Sequence, residues 1–199
     1  EQVNDKPTLS ELTDQTIDED GQLSVGFTIG DVETGLADLA LATQSDNADL
    51  VPGDSIDLSG SGADRTLTVT PTADSNGTAT ISLTVADQPV DGKAAKDSTQ
   101  SFELTVDPVN DPPVARADTF STPEDSTLTV EAPGVLENDN DVESATLTAS
   151  VVSEPSDGSL TLEEDGAFTY DPNEGFNGTD SFEYEATDSG DSTGTAAVQ

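Results

Sequence analysis

Apolar residues alternate with polar ones along nearly the whole chain, in short runs that keep a period of two. Leu23, Val25, Phe27 and Ile29 are separated by Ser24, Gly26 and Thr28, and the spacing returns at Leu67/Val69, Ile81/Leu83/Val85 and Phe102/Leu104/Val106. It continues through Leu128/Val130, Leu147/Ala149/Val151, Leu160/Leu162, Phe168/Tyr170 and Phe182/Tyr184/Ala186. Successive side chains of a strand point to opposite faces, so the pattern predicts half-buried β-strands. Thr fills many outward positions, where a β-branched residue suits a solvated sheet face, and Gly, Pro, Asn and Asp clusters divide the runs. Leu36–Thr43 also carries a helical spacing at Leu36, Leu39, Ala40 and Thr43; among so many strands it is read as a strand. Phe168–Tyr170 is expected to pair with Ser159–Leu162 across Glu164-Asp165-Gly166, because Gly supplies the positive φ of a tight hairpin. No apolar run approaches the roughly 20 residues that cross a bilayer as a helix.

The chain also repeats itself. Val3-Asn4-Asp5-Lys6-Pro7 returns as Val109-Asn110-Asp111-Pro112-Pro113, and Glu19-Asp20 followed by Leu23 and Val25 returns as Glu124-Asp125 followed by Leu128 and Val130. Asp31-Val32-Glu33-Thr34 returns as Asp141-Val142-Glu143-Ser144, Asn76-Gly77-Thr78 as Asn177-Gly178-Thr179, and Val85-Ala86-Asp87 as Ala186-Thr187-Asp188. The order is kept throughout. Two modules of about seven strands each fit tandem seven-stranded Greek-key β-sandwiches, an all-β fold of cadherin or immunoglobulin shape, over residues 1–108 and 109–199. Matching Val198 to Phe102 predicts that the rest of the second module's last strand, and a further linker, lie beyond Gln199.

Charge changes what such a fold is expected to do. Five Lys and Arg stand against 42 Asp and Glu, a net charge of −37, divided evenly as −17 and −20 between the two modules. Nucleic acid is excluded as a partner because phosphate contacts need a basic footprint, and anionic membrane surfaces repel such a chain. With no His and no Cys the usual imidazole bases, thiol nucleophiles and zinc sites are missing, whereas hard cations such as calcium bind carboxylates and carbonyls. Bulk acidity alone is weak evidence for an ion, since a high-salt habitat also favours acids. A glycosidase needs two acids across an aromatic-lined cleft, and neighbours such as Glu163 and Glu164 in a chain with no Trp and eight other aromatics do not suggest one; no enzyme is expected. Asp139-Asn140-Asp141 begins like an EF-hand loop, but the Gly position is Ser144 and the bidentate acid position is Ser150. Asn76 and Asn177 read as turn residues rather than glycosylation sites.

These residues carry a resemblance. The linker Asp107-Pro-Val-Asn110-Asp111-Pro-Pro, the Glu-Asp after the first strand, the Asp-x-Glu after the second and the Asp turn near the last strand resemble the calcium-binding elements of cadherin repeats. More closely, the chain resembles the cadherin-like tandem repeats of large bacterial surface adhesins and RTX-type exoproteins. Residues 109–199 follow the pattern Val-Asn-Asp-x-Pro, Ala-Pro-Gly-Val-Leu-x-Asn-Asp, Asp-Gly-x-Phe-Thr-Tyr, Phe-Asn-Gly-Thr-Asp-Ser-Phe. Residues 3–111 follow a sister pattern marked by Asp-Gln-Thr-Ile-x-Glu-Asp, Phe-Thr-Ile-Gly-Asp and Gly-Thr-Ala-Thr-Ile.

The resemblance implies bound Ca2+, a place outside the cell at its surface, and service as a spacer that extends an adhesin in biofilm or cell adhesion. Its alternative is a module that itself binds polysaccharide or a like domain on another cell. Partners are then neighbouring repeats of the same chain, with no nucleic acid, no direct membrane contact and a monomeric state. In a seven-strand sandwich the end of the first strand lies at the base and the turns after the second and sixth strands lie at the top. Glu19 and Asp20, with Asp74, thus form a lower set in the first module, and Asp141 and Glu143, with Asp188 and the neighbouring Asp139, an upper set in the second. Asp107, Asn110 and Asp111 lie on the proline-stiffened linker between them. Asn4, Asp5, Asp31, Glu33 and Asp87 form the upper set of the first module, and Glu124 and Asp125 the lower set of the second.

Overall fold

The structure is a computed structural model that describes residues 3–199. It divides into two units, one ending at Val109 and one of Asn110–Gln199.

The first unit holds eight strands in two four-stranded sheets: β1 (Thr8–Leu9), β2 (Gln15–Asp18), β3 (Leu23–Gly30), β4 (Ala40–Ser45), β5 (Ile56–Ser61), β6 (Asp64–Val69), β7 (Gly77–Ala86) and β8 (Asp97–Asp107). One sheet has the order β1-β3-β6-β5 and the other β2-β8-β7-β4. All pairs are antiparallel except β2 with β8, which run parallel from Gln15↔Leu104 to Asp18↔Asp107. The eight-strand count is the expected seven with the first strand divided. Its first half, β1, pairs with β3, and its second half, β2, crosses to the opposite sheet. Alternation on the long strands sends Phe27, Leu67, Val69, Ile81, Leu83, Val85, Phe102, Leu104 and Val106 into one core between the sheets.

One local reading changes, and one strand was not foreseen. Leu36–Asp38 is a turn, closed by the Asp38 amide on the Gly35 carbonyl at 2.8 Å, and the strand there starts at Ala40. β5 is a full strand that pairs with β6 from Ile56↔Val69 to Ser61↔Asp64.

The second unit holds six strands: β9 (Leu128–Val130), β10 (Thr148–Ser153), β11 (Gly158–Leu162), β12 (Phe168–Pro172), β13 (Phe182–Thr187) and β14 (Thr193–Val198). They form two three-stranded sheets, β11-β12-β9 and β10-β13-β14. The segment that should be its first strand appears as two isolated bridges, Val114↔Asn140 and Asp118↔Val198. The expected hairpin is present, with Leu162 opposite Phe168 and Gly166 at φ +84. The Ala-Pro-Gly-Val-Leu motif packs on that hairpin turn. The Val135 amide donates to the Gly166 carbonyl at 3.0 Å, and a Cβ on Gly134 would lie 1.9 Å from the same oxygen, so only Gly fits. The core gathers Val135, Ala149, Phe168, Phe182, Tyr184, Ala186 and Val198. Phe120 and Phe182 meet the Phe168 ring edge-on, with centroids 5.1 and 5.6 Å away. Among the described residues no helix is long and apolar enough to cross a membrane.

Candidate functional site

The lower set of the first unit forms where β2 ends. The Glu19 amide donates to the Asp107 carbonyl at 2.9 Å, closing the parallel pairing of β2 with β8 and turning the Glu19 side chain inward. Glu19 is only 4% exposed; its Oε1 accepts the Val109 amide at 2.6 Å, while its buried Oε2 has no hydrogen-bond partner. Asp20 and Asp74 both adopt positive φ, 60 and 52, a conformation that Asp tolerates better than most residues. The Asp74 amide donates to Asp20 Oδ1 at 3.1 Å, and carboxylate oxygens of the two lie within 4.8 Å.

The upper set is built twice on one plan. In the first unit, Asp31 Oδ1 accepts the Glu33 and Thr34 amides at 2.9 and 2.6 Å, and Oδ2 is buried with no partner. In the second, Asp141 Oδ1 accepts the Glu143 and Ser144 amides at 3.0 and 2.5 Å, and Oδ2 is again buried with no partner. Each tight loop, after β3 in the first unit and after the Asn140 bridge in the second, spends one carboxylate oxygen on its own backbone and directs the other elsewhere. Glu33 Oε2 accepts the Asp5 amide and Glu143 Oε2 the Asp111 amide, both at 3.2 Å, which ties the start of each unit to this loop.

The asparagines complete the parallel. Asn4 is 2% exposed; its amide nitrogen donates to Asp87 Oδ2 at 3.1 Å and to the Ala94 carbonyl at 3.0 Å, leaving Oδ1 buried without a partner. Asn110 donates to Asp188 Oδ2 and Ser192 Oγ, both at 2.8 Å. The second oxygens of Asp87 and Asp188 take backbone amides further along the chain, Lys96 just before β8 at 2.6 Å and Gly190 at 2.7 Å. Burial acts to raise the Asp188 carboxyl, but hydrogen bonds from Asn110, Ser192 and Gly190 outweigh it and hold the group below the usual carboxylate range. Lys96 also donates its ammonium group to the Asn4 carbonyl.

The other expected residues have these surroundings. Glu124 is exposed, and Asp125 accepts the Gly175 amide at 2.7 Å, as Asp20 accepts that of Asp74. Asp107 exposes its side chain and contributes its carbonyl to Glu19. Asp139 is engaged by a group that sequence reasoning missed. Its two oxygens lie 2.8 and 3.0 Å from the hydroxyl of fully buried Tyr184, and Oδ1 also takes the Arg116 amide at 2.8 Å. Burial, and next the Asp139 hydrogen bond, push the Tyr184 hydroxyl far above its usual range. Nearby, burial and the charges of Asp139 and Glu137 push the Asp118 carboxyl up to about 6.

The upper and lower sets fit a hard cation. Asp31 Oδ2, Asp141 Oδ2, Glu19 Oε2 and Asn4 Oδ1 are acceptor-only oxygens, buried and without a hydrogen-bond donor, and a chain of five basic residues has few donors to offer.

Several solved structures are similar to this chain. The titin domains Z1Z2 in complex with telethonin are 13% identical, over 99% of this chain and 96% of that one, with a TM-score of 0.41. Chicken VE-cadherin EC1-2 is 13% identical over 94% and 97%, with a TM-score of 0.38. The endo-fucoidan hydrolase MfFcnA4 of glycoside hydrolase family 107 is 18% identical, with a TM-score of 0.39; the match takes in 97% of this chain and only 28% of the hydrolase. No curated protein matches the chain. The family model of the bacterial cadherin-like domain matches residues 110–199.

Proposed function

We propose that the two units are calcium-rigidified extender modules of a bacterial cell-surface adhesin, working outside the cell as a spacer rather than as an enzyme. The observation that carries this reading is the repeated division of labour at Asp31 and Asp141: one oxygen caps the loop and the other is buried without a donor. A buried carboxylate oxygen without a partner is costly, and a structure that keeps two at matching positions has a use for them. When bound, calcium accepts six to eight oxygens and neutralises the carboxylates around it.

In this reading Asn110, Asp111, Asp141, Glu143 and Asp188 hold the upper part of a junction site, and Glu19, Asp20 and Asp74 the lower part, with Asp107 beside the linker. Pro108, Pro112 and Pro113 restrict the linker and remove three amide donors, leaving its carbonyls to act as ligands. Asn4, Asp5, Asp31, Glu33 and Asp87 form the corresponding upper part at the start of the first unit.

Calcium titration followed by small-angle scattering tests the proposal. The radius of gyration should settle to one extended value as calcium is added and spread in EDTA, and the melting temperature should rise. Magnesium should do much less, since it requires a tight octahedron and dehydrates reluctantly. Coincident scattering and melting curves with and without calcium would remove the ion from the account.

A further inference from the structure

The two upper sets share a plan but not a charge. Counted from the repeated Val-Asn-Asp, Lys6 stands where the second unit has Pro112. Lys96 stands where the second unit has Ser192. The Asp87 amide donates to the Lys96 carbonyl at 3.0 Å and the Asp188 amide to the Ser192 carbonyl at 3.1 Å. In return the Lys96 and Ser192 amides donate to Oδ1 of those acids at 2.6 and 2.9 Å. Ser192 follows Asp188 by four residues, whereas Lys96 follows Asp87 by nine. The longer loop also carries Lys93, so all three lysines of the chain lie in the two segments that meet at Asn4, and the matching segments of the second unit hold no base.

The exchange of Ser for Lys changes what reaches the asparagine. In the second unit Ser192 Oγ accepts the Asn110 side-chain amide at 2.8 Å. Lys96 has no such oxygen, and the Ala94 carbonyl, brought in by the longer loop, accepts the Asn4 amide at 3.0 Å instead. The half-buried Lys96 side chain donates its ammonium to the Asn4 backbone carbonyl.

A lysine that merely solvates a surface extends its ammonium into water. This one ends on the backbone of a residue only 2% exposed, within the set that holds Asp5, Asp31, Glu33 and Asp87. An ammonium is a compact charge with three donors and no acceptor. There it offsets part of the repulsion among the carboxylates and occupies a carbonyl that a metal ion could use. Asn4 Oδ1 and Asp31 Oδ2 remain buried without a donor, so the set keeps open oxygens for a metal that must bind against the ammonium's charge.

We infer that Lys96 is a resident cation of the first unit's upper set, steadying that set without metal and lowering its affinity for calcium. The second unit, with Ser192 at that place, has no such charge. The effect on calcium rests on the proposed function; the effect without metal does not.

Four variants of the full chain test this. Lys96→Met and Lys96→Gln remove the charge, Lys96→Arg keeps it, and Lys93→Met removes an exposed charge from the same loop. Amide exchange reads each set separately, through Glu33, Thr34, Asp87 and Lys96 in the first unit and Glu143, Ser144, Asp188 and Ser192 in the second. In EDTA, Lys96→Met and Lys96→Gln should speed exchange about tenfold at the first group and leave the second as in the parent. In a calcium titration followed at the same amides, the first group should respond at about tenfold lower calcium in these two variants. Lys93→Met should match the parent in both measurements, and Lys96→Arg should stay nearer to it than Lys96→Met does. Equal effects at Lys93 and Lys96, unchanged exchange in EDTA, or calcium binding no tighter in Lys96→Met and Lys96→Gln would each overturn the inference. If calcium moves neither set in any of these proteins, the proposed function fails, and the EDTA measurement still decides whether Lys96 is the set's own cation.

Discussion

Asn110 donates its side-chain amide to Asp188 Oδ2 at 2.8 Å, as Asn4 donates to Asp87 Oδ2 at 3.1 Å in the other unit. The bond commits the nitrogen of each asparagine inward, which orients its carbonyl oxygen as an acceptor for something else. Neither asparagine is charged, yet each is fixed by an acid from a distant strand end, 78 and 83 residues along the chain.

Gly190 tests the importance of that orientation without changing any charge. A Cβ there would meet Asn110 Oδ1 at 2.4 Å and Cγ at 2.5 Å, whereas a Cβ on Gly26 would meet nothing within 4 Å. Gly190→Ala should push the Asn110 amide from its place and lower calcium affinity about tenfold or more, a change of about 1.4 kcal/mol. Gly26→Ala should leave it unchanged. Isothermal calorimetry on the two variants makes the comparison, and equal affinities would show that Asn110 is not a ligand.

Tyr184 and Asp139 form a structural pair that should respond differently. Tyr184→Phe removes a charge-assisted hydrogen bond in the core and leaves the Asp139 carboxylate without its hydroxyl donor, a loss of about 1.5–3 kcal/mol. The melting temperature of the second unit should fall by similar amounts in EDTA and in calcium. A loss seen only in calcium would place Asp139 among the ion's ligands, as the sequence suggests.

Much of this arrangement was legible in the sequence because it is written there twice. Alternation placed the long strands, and the recurrence of Asp31-Val-Glu33 as Asp141-Val-Glu143 marked the two upper loops whose shared geometry the structure displays. Features set by distant contacts were not legible. β5 escaped because Ile56 and Leu58 run into Ser59-Gly60-Ser61-Gly62, which reads as a loop until β6 supplies its partner. The division of the first strand depends on which sheet offers the nearer free edge, a tertiary fact. Asp139 stands beside the acids in sequence, but Tyr184, 45 residues away, engages it. Leu36–Thr43 carries helical spacing and reads as a strand only from its surroundings; the Gly35–Asp38 turn delays the strand to Ala40.

Asp118 should give the second unit a distinct pH response. Its carboxyl is pushed up to about 6, first by burial and then by Asp139 and Glu137. A carboxyl with a folded value above its unfolded value costs stability when ionised; the cost is full above pH 6 and disappears as pH falls towards 4. Because the group is still partly exposed to solvent, screening reduces the expected cost to about 1 kcal/mol. Asp118→Asn keeps the Oδ1 that accepts from Asn138 and removes the charge. The variant should be more stable than the parent at pH 7 and equal to it near pH 4, as read from urea midpoints. A constant difference across that range would refute the assignment.

Asp111 and Asp165 separate a site from diffuse charge screening, because each substitution removes one negative charge. The Asp111 amide is held by Glu143 in the upper set, whereas Asp165 Oδ1 accepts the Ala167 amide at 3.2 Å within the hairpin turn. Asp111→Ala should weaken calcium binding at least tenfold and broaden the range of shapes seen by scattering. Asp165→Ala should leave affinity within twofold of the parent. Equal losses in both would favour screening over a built site.

The junction mechanism also predicts how tight sites should count. If the proposed function holds, Glu19, Asp20 and Asp74 act with the upper set of a following unit, and Asn4, Asp5, Asp31, Glu33 and Asp87 with the lower set of a preceding one, so each set alone offers fewer oxygens and a less fixed geometry than the two together. A second copy of residues 3–108 placed before Val3 brings these sets together using only the chain's own sequence. The new linker then reads Asp107-Pro108-Val3-Asn4-Asp5, matching the original Asp107-Pro108-Val109-Asn110-Asp111. The three-unit protein has two junctions where the parent has one, so calorimetry should find twice as many tight calcium ions per chain. The weak binding assigned to the first unit's upper set should become tight. If tight stoichiometry instead follows the number of units, rising from two parts to three, calcium belongs within the units and the stiffened linker does not explain the protein.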